Sequence, residues 1–474
     1  MYDIIIAGSR YVLMIVFALY VYQSFKMDLV NGADKKKKMH ASQNAMMLII
    51  LCVAFLVIGM SVYTNGEEEG VGGVLIFFAC VFAYLLIFNV IAPIIYENIN
   101  RGLVSMISMF LCIGFIELTR LSFDRATKQF TILLISTVVF FLIPVVLRML
   151  GDLSRFKWIY CGVGLALLLI MLLFSRFSNG AKISIDIGSF SFQPLEFIKI
   201  LFVFFIAALF HEGVNRRSVL IGTILTFTFI LILVLSKDLG TALILFLAYL
   251  FMLYAATKKI AFLGAGVILL SGAALIAYKL FNHVRVRVMA WLDPWTDIDS
   301  GGYQITQSLF AIGTGGWIGM GIYQGMPGKV PEVAKDFIFS AIAEELGGFF
   351  AICLILLCAC CFISIMRIAM MQENMFCKLS VLGLGCVYGV QLFLTVGGAL
   401  KMIPSTGVPF PFVSYGGSSM LSSMITFGII EAFYMKALRD AKRRKIEELN
   451  RKLDEAELDY ALEKELDEED KRRR

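Results

Sequence analysis

The chain has 474 residues, of which 59% are hydrophobic and only 16% charged, with a formal net charge of +6. Soluble domains are about 45–50% apolar and about 25% charged, so a water-soluble globular fold is excluded and the bilayer is the solvent for most of this chain. The ten cysteines fall mostly inside apolar runs, without histidine neighbours, which argues against a disulfide framework or a zinc site.

A membrane helix needs about 20 mostly apolar residues. Read in chain order, the apolar runs predict spans near 8–23, 44–63, 73–96, 103–118, 131–149, 158–174, 195–211, 219–235, 240–256, 260–280, 337–365, 378–400 and 418–435. The expected fold is an all-α polytopic membrane protein. Its first run, "YVLMIVFALYVY", lacks a basic leader and a small-residue cleavage site, so it is expected to be an uncleaved anchor. The tail from Lys436 alternates in charge, and Ile446, Leu449, Leu453, Ala456 and Tyr460 recur at helical spacing. Two heptads are too few for a coiled coil, which leaves a solvated helical tail.

The loops between these spans fall into two sets. One holds Lys35 to Lys38, Arg101, Arg148, Arg155, Lys157, Arg216, Arg217, Lys258, Lys259, Arg367, Lys378 and the basic start of the tail. By the positive-inside rule this set is cytoplasmic, so the amino terminus is expected outside and the carboxyl tail inside. The loop "TRLSFDRATKQ" is a basic exception on the outer side.

Polar residues that membrane insertion disfavours collect on that outer side. In "NGAKISIDIGSFSFQPLEFIKI", Glu196 and Lys199 stand at i, i+3 on one helix face and can pair; an intramembrane ionisable residue is a functional candidate by default. The hairpin "LSKDLGTA" places Asp238 at the membrane face. The loop of 281–336 contains Arg285 and Arg287, then "SLFAIGTGGWIGMGI", which is too short and glycine-broken to span and reads as re-entrant or interfacial. Asp336 follows Lys335 and precedes the next apolar run, where a helix amino terminus would stabilise its anion; helix capping is its alternative role. Glu344 and Glu345 lie within that run and are expected to make buried polar pairs. Pro404, Pro409 and Pro411 forbid regular helix entry before Gly416 and Gly417, and Ser418, Ser419, Ser422 and Ser423 fit either close helix crossing or a polar site. Arg285, Arg287, Lys182, Lys199, Lys329 and Lys335 together suggest an anionic ligand at headgroup level, such as a lipid-linked pyrophosphate. Salt bridging within a folded loop explains the same charges. Nothing in the pattern points to nucleic acid.

Five ordered segments, "FQPLEFIKI", "KDLGTA", "YQITQSLFAIGTGGWIGMG", "KDFIFSAIAEELG" and "PSTGVPFPFVSYGGSS", resemble those of the SEDS family of shape, elongation, division and sporulation proteins, which includes RodA, FtsW and SpoVE. The resemblance covers roughly 103–436. It implies a ten-helix core, an extra block of about three helices at 1–102 and a charged cytoplasmic tail at 437–474. It implies a peptidoglycan glycosyltransferase in the bacterial cytoplasmic membrane that polymerises lipid II, the undecaprenyl-pyrophosphate-linked disaccharide peptide, beside a class B penicillin-binding protein and membrane lipid. By resemblance Asp336 is the catalytic residue, and Lys199 and Glu196 are cavity residues. Leu195 stands where the family usually has serine.

For such a transfer a carboxylate that takes the acceptor hydroxyl's proton contributes ~10²–10⁴-fold, and Asp336 is the candidate. Fixed cations lower the barrier to pyrophosphate departure; Lys199 leads, followed by Arg285, Arg287 and Lys182, with Asp238 and Ser418 as further binding candidates. A divalent ion such as Mg²⁺ would serve the same purpose, but no metal-ligand cluster in the sequence requires one. A flippase for lipid-linked precursors and a non-catalytic scaffold for the transpeptidase are the rival functions.

Overall fold

The computed structural model describes residues 2–473 apart from 28, 29, 31, 67, 175, 179, 180, 188, 189, 297 and 299. Helices carry the fold. In chain order they are α1 (Tyr2–Met27), α2 (Ala33–Thr64), α3 (Glu68–Ile95), α4 (Arg101–Leu121), α5 (Phe123–Leu150), α6 (Lys157–Phe174), α7 (Leu195–His211), α8 (Arg216–Leu235), α9 (Leu239–Thr257), α10 (Ala261–Leu280), α11 (Asn282–Leu292), α12 (Tyr303–Gly315), α13 (Ile338–Glu345), α14 (Gly348–Met371), α15 (Met375–Ala399) and α16 (Gly417–Arg473). Among the described residues, twelve helices are long and apolar enough to cross a bilayer. The predicted span at 195–211 is α7, which has 17 residues and a length of about 26 Å.

Between α6 and α7 the chain forms three short antiparallel strands, β1 (Arg176–Ser178), β2 (Ala181–Ile187) and β3 (Phe190–Phe192). They were not foreseen, although the alternation in "KISIDI" has the period of two that a strand requires.

The first three helices pack on one another and on the rest of the bundle. They close over α4, so that every residue from Leu103 to Thr119 is buried among α2, α3, α5, α13 and α14. Phe17 stacks on Phe350 with ring centroids 4.2 Å apart, and the Tyr20 hydroxyl meets Ser105 Oγ at 2.8 Å.

The predicted span at 337–365 needs correction. The chain breaks at Gly347 (φ +95), and the crossing helix is α14, which begins at Gly348. Helix ends leave unsatisfied backbone groups, and the glycine-rich loop after α12 satisfies both sides of this break. The amides of Met320 and Gly321 donate to the Glu344 and Glu345 carbonyls at 2.9 Å. The amides of Gly348 and Phe349 donate to the Gly316 and Trp317 carbonyls at 2.8 and 3.2 Å. A Cβ at Gly319 would lie 2.4 Å from the Glu345 oxygen, so backbone meets backbone here and glycine is required. α12 itself, with 13 residues, is about 20 Å long and too short to cross.

Glu345 pairs with Arg120 at 2.9 Å, and the Arg120 guanidinium lies 4.1 Å from the Tyr323 ring centroid. Glu344 Oε1 accepts from the Met326 amide at 2.9 Å. Both glutamates are thus occupied in tying the loop to α13. The tail continues α16 as one helix with exposed Ile446, Leu449, Leu453 and Tyr460, crossed by i, i+4 ion pairs such as Arg443–Glu447 at 2.8 Å.

Candidate active site

Four segments converge on one end of the bundle: the start of α7, the turn before α9, the approach to α13 and the proline-rich loop before α16. Pro194 precedes α7, where its fixed φ suits helix entry, and the first turn carries Glu196. The buried Lys199 ammonium donates to Glu196 Oε1 and to Gln391 Oε1, both at 2.9 Å. Glu196 Oε2 accepts from the Ser422 hydroxyl at 2.9 Å. Gln391 in turn donates to the Pro409 carbonyl at 2.9 Å. The polar set therefore joins α7, α15, α16 and the loop. A cleft of about 370 Å³ opens beside it, lined in part by Glu196, Lys199, Gln391, Ser422, Ser423 and Thr426.

A second, smaller cleft of about 170 Å³ contains Asp336, with walls from Thr395, Ser405, Thr406 and Gly407. Gln391 and Thr395 are one turn apart on α15, ~6 Å along its axis, so this helix lines both clefts. Thr395 Oγ1 donates to the Val408 carbonyl at 2.8 Å and fixes the loop that forms the outer wall. The loop is also sewn to the segment before Asp336: the Tyr415 amide donates to the Ala334 carbonyl at 2.7 Å, and the Ser414 hydroxyl donates to the Lys335 carbonyl. At Gly407 (φ +72) a Cβ would stand 3.8 Å from Asp336 Oδ2, so the backbone of this turn passes close by the carboxylate.

Asp238 caps α9. Its Oδ1 accepts from the Thr241 amide at 2.9 Å and its Oδ2 from the Thr241 hydroxyl at 2.7 Å. Burial pushes its carboxyl above the usual aspartate range; the Thr241 bonds, then the charges of Lys199 and Arg287, oppose that rise. Gly240 next to it lets α9 touch the proline-rich loop, since a Cβ there would lie 2.9 Å from Val408 Cγ2.

Asp336 is half-buried and precedes α13. Burial is the largest cause that raises its carboxyl from 3.8 to about 6, and Glu332 adds to it; its own backbone amide, Arg287 and Lys335 act in the other direction. The charge of Arg287 thus acts on both Asp238 and Asp336, and that of Lys199 on Asp238.

The other candidates are placed differently. Arg285 is exposed, donating to the Lys279 carbonyl at 3.4 Å with its guanidinium 5.9 Å from the Tyr278 ring centroid. Lys335 pairs with Glu332 at 2.9 Å, and Lys329 is exposed. Ser418 Oγ accepts from the Gln193 amide at 2.9 Å, a bond that ties the entry of α7 to α16. The side chain of Lys182, on β2, lies outside the described residues. Gln391, Thr395 and Thr406 escaped the sequence reading. Gln391 carried a usable signal as an amide in the middle of the apolar run "VYGVQLFLTV".

Among the described residues no group of three or more His, Cys, Asp or Glu side chains is placed to hold a metal ion.

The family model of the cell cycle proteins FtsW, RodA and SpoVE matches residues 90–437. The peptidoglycan glycosyltransferase RodA of Mycobacterium leprae is 36% identical over 324 residues, covering 64% of this chain and 69% of that protein. Stage V sporulation protein E of Bacillus subtilis is 32% identical over 260 residues, covering 53% of this chain and 71% of its own. A solved chain from a peptidoglycan synthase complex that coordinates polymerization and crosslinking aligns with a TM-score of 0.62 and 25% identity, over 72% of this chain and 98% of that one. Matched along most of its length in sequence and fold, this chain belongs to the FtsW/RodA/SpoVE family.

Proposed function

We propose that this chain is a peptidoglycan glycosyltransferase that joins lipid II units into glycan strands on the outer face of the bacterial cytoplasmic membrane. The observation that carries the reading is the pair of clefts along α15, one holding Asp336 and the other Lys199 and Glu196. Two clefts lined by one helix suit two sugar-pyrophosphate lipids, an acceptor and a donor.

In this reading Asp336 takes the proton from the acceptor sugar hydroxyl as its oxygen attacks the anomeric carbon of the donor. The bond from that carbon to the pyrophosphate oxygen breaks, and the lipid pyrophosphate leaves. A carboxyl raised to about 6 is ionised at neutral pH yet more basic than a solvated aspartate, which is what a general base needs. Arg287 and Lys199 stabilise the negative charge that grows on the leaving group. Glu196, Gln391 and Ser422 hold Lys199 in place.

The amino terminus then lies outside and the carboxyl tail in the cytoplasm, as the loop charges require. Residues 103–436 form the catalytic core, 1–102 an added block and 437–474 a cytoplasmic tail. A class B penicillin-binding protein is the crosslinking partner.

The test is lipid II polymerisation by the purified chain and by Asp336→Asn. Loss of ~10²–10⁴-fold is expected; polymerisation by Asp336→Asn at the normal rate would remove this residue from the mechanism.

A further inference from the structure

Resting on that reading, we infer that Arg10 on α1 is a positioning residue for Asp336, acting through the glycine-rich loop and α13. Tyr2, Ile6 and Arg10 recur at i, i+4 and i+8, on one face of α1, and all three meet this loop. Arg10 Nη1 donates to the Gly319 carbonyl at 2.8 Å. A Cβ at Gly321 (φ +103) would lie 2.6 Å from Ile6 Cγ2, so Ile6 occupies the space that the glycine leaves. The Tyr2 hydroxyl bonds to Ser61 Oγ at 2.9 Å and accepts from Gln324 Nε2 at 3.4 Å.

An arginine in a membrane helix is costly unless its guanidinium finds protein partners. Arg10 has spent that cost on a backbone carbonyl, and its buried Nε has no hydrogen-bond partner among the described residues. The carbonyl it holds belongs to the loop whose next two amides, Met320 and Gly321, bond the last residues of α13. α13 is a rigid eight-residue piece whose other end begins two residues after Asp336. A shift of the loop is therefore carried along α13 to the carboxylate. Misplacement of a reacting group by ~1 Å costs up to ~10²-fold in rate, so an element outside most of the matched family region sets the geometry of the catalytic cleft.

The experiment compares the full-length purified chain with Arg10→Gln, Arg10→Lys and Phe17→Leu. Phe17, ~10 Å along α1 from Arg10, stacks on Phe350 and controls for loosening of the helix block. Arg10→Gln is expected to speed amide hydrogen exchange at Met320 and Gly321 and to lower kcat about 10- to 100-fold with KM for lipid II unchanged. Arg10→Lys restores most of both, and Phe17→Leu lowers the melting temperature without changing either. Wild-type exchange and kcat in Arg10→Gln, or the same two changes in Phe17→Leu, would overturn the inference. Exchange decides the loop contact whether or not lipid II is polymerised, so failure here is distinct from failure of the glycosyltransferase reading.

Discussion

Lys199 and Gln391, 192 positions apart, are joined by a single bond of 2.9 Å, and through it the proline-rich loop is held to α7. The ammonium also donates to Glu196 at 2.9 Å. Removing one member of a buried ion pair strands the other, at about 3–5 kcal/mol. Lys199→Met is therefore expected to destabilise the bundle as well as to stop polymerisation. Adding Glu196→Leu should recover most of the stability but none of the activity, which thermal unfolding and lipid II assays on the two variants would separate.

The pH dependence follows from Asp336. A general base with its carboxyl at about 6 makes kcat/KM rise through that pH and level off above it. A half-maximal point near 4 would mean that a solvated carboxylate controls the rate instead.

Stability carries the opposite sign. The Asp336 carboxyl moves from 3.8 to about 6 on folding, so between these values the folded chain binds the proton more tightly than the unfolded one. Its contribution to stability thus falls as pH rises from 4 to 6 and stays low above. Asp336→Asn should melt at a higher temperature than the parent at pH 7, with the gap closing towards pH 4. Equal melting at both pH values would contradict burial of an ionised group.

Gly240 provides a fourth test. Alanine there would push its Cβ to 2.9 Å from Val408 Cγ2 and 3.1 Å from the Thr406 carbonyl. Overpacking of this kind costs ~1–3 kcal/mol, and here the strain falls on the loop facing Asp336. Gly240→Ala should lose more polymerase activity than stability, whereas Gly272→Ala, with open space around it, should lose neither.

Much of this was legible in the sequence for physical reasons. Apolar runs reveal spans because the bilayer demands length, so twelve long helices and α7 were found with only their ends in error. Glu196, Lys199, Asp238 and Asp336 were conspicuous because charge beside lipid is expensive. The break at Gly347 was hidden because a long apolar run follows it and the compensating hydrogen bonds come from the distant segment Gly316 to Gly321. Ser418 had the right composition for a binding group, yet its hydroxyl serves the Gln193 amide, a partner 225 positions away that no local pattern announces. Gln391 was overlooked because one amide hardly alters the hydropathy of a long run.

The complete enclosure of α4 reverses the ordinary rules of substitution for a membrane helix. A lipid-facing helix tolerates changes of size and rejects polarity; α4 already houses Ser105, Ser108, Glu117 and Thr119 out of contact with solvent, while its neighbours leave no slack. At Gly114 even a methyl group would collide with the Phe412 and Val413 carbonyls at 2.9 Å. Variation along this helix should be limited by bulk and not by hydropathy.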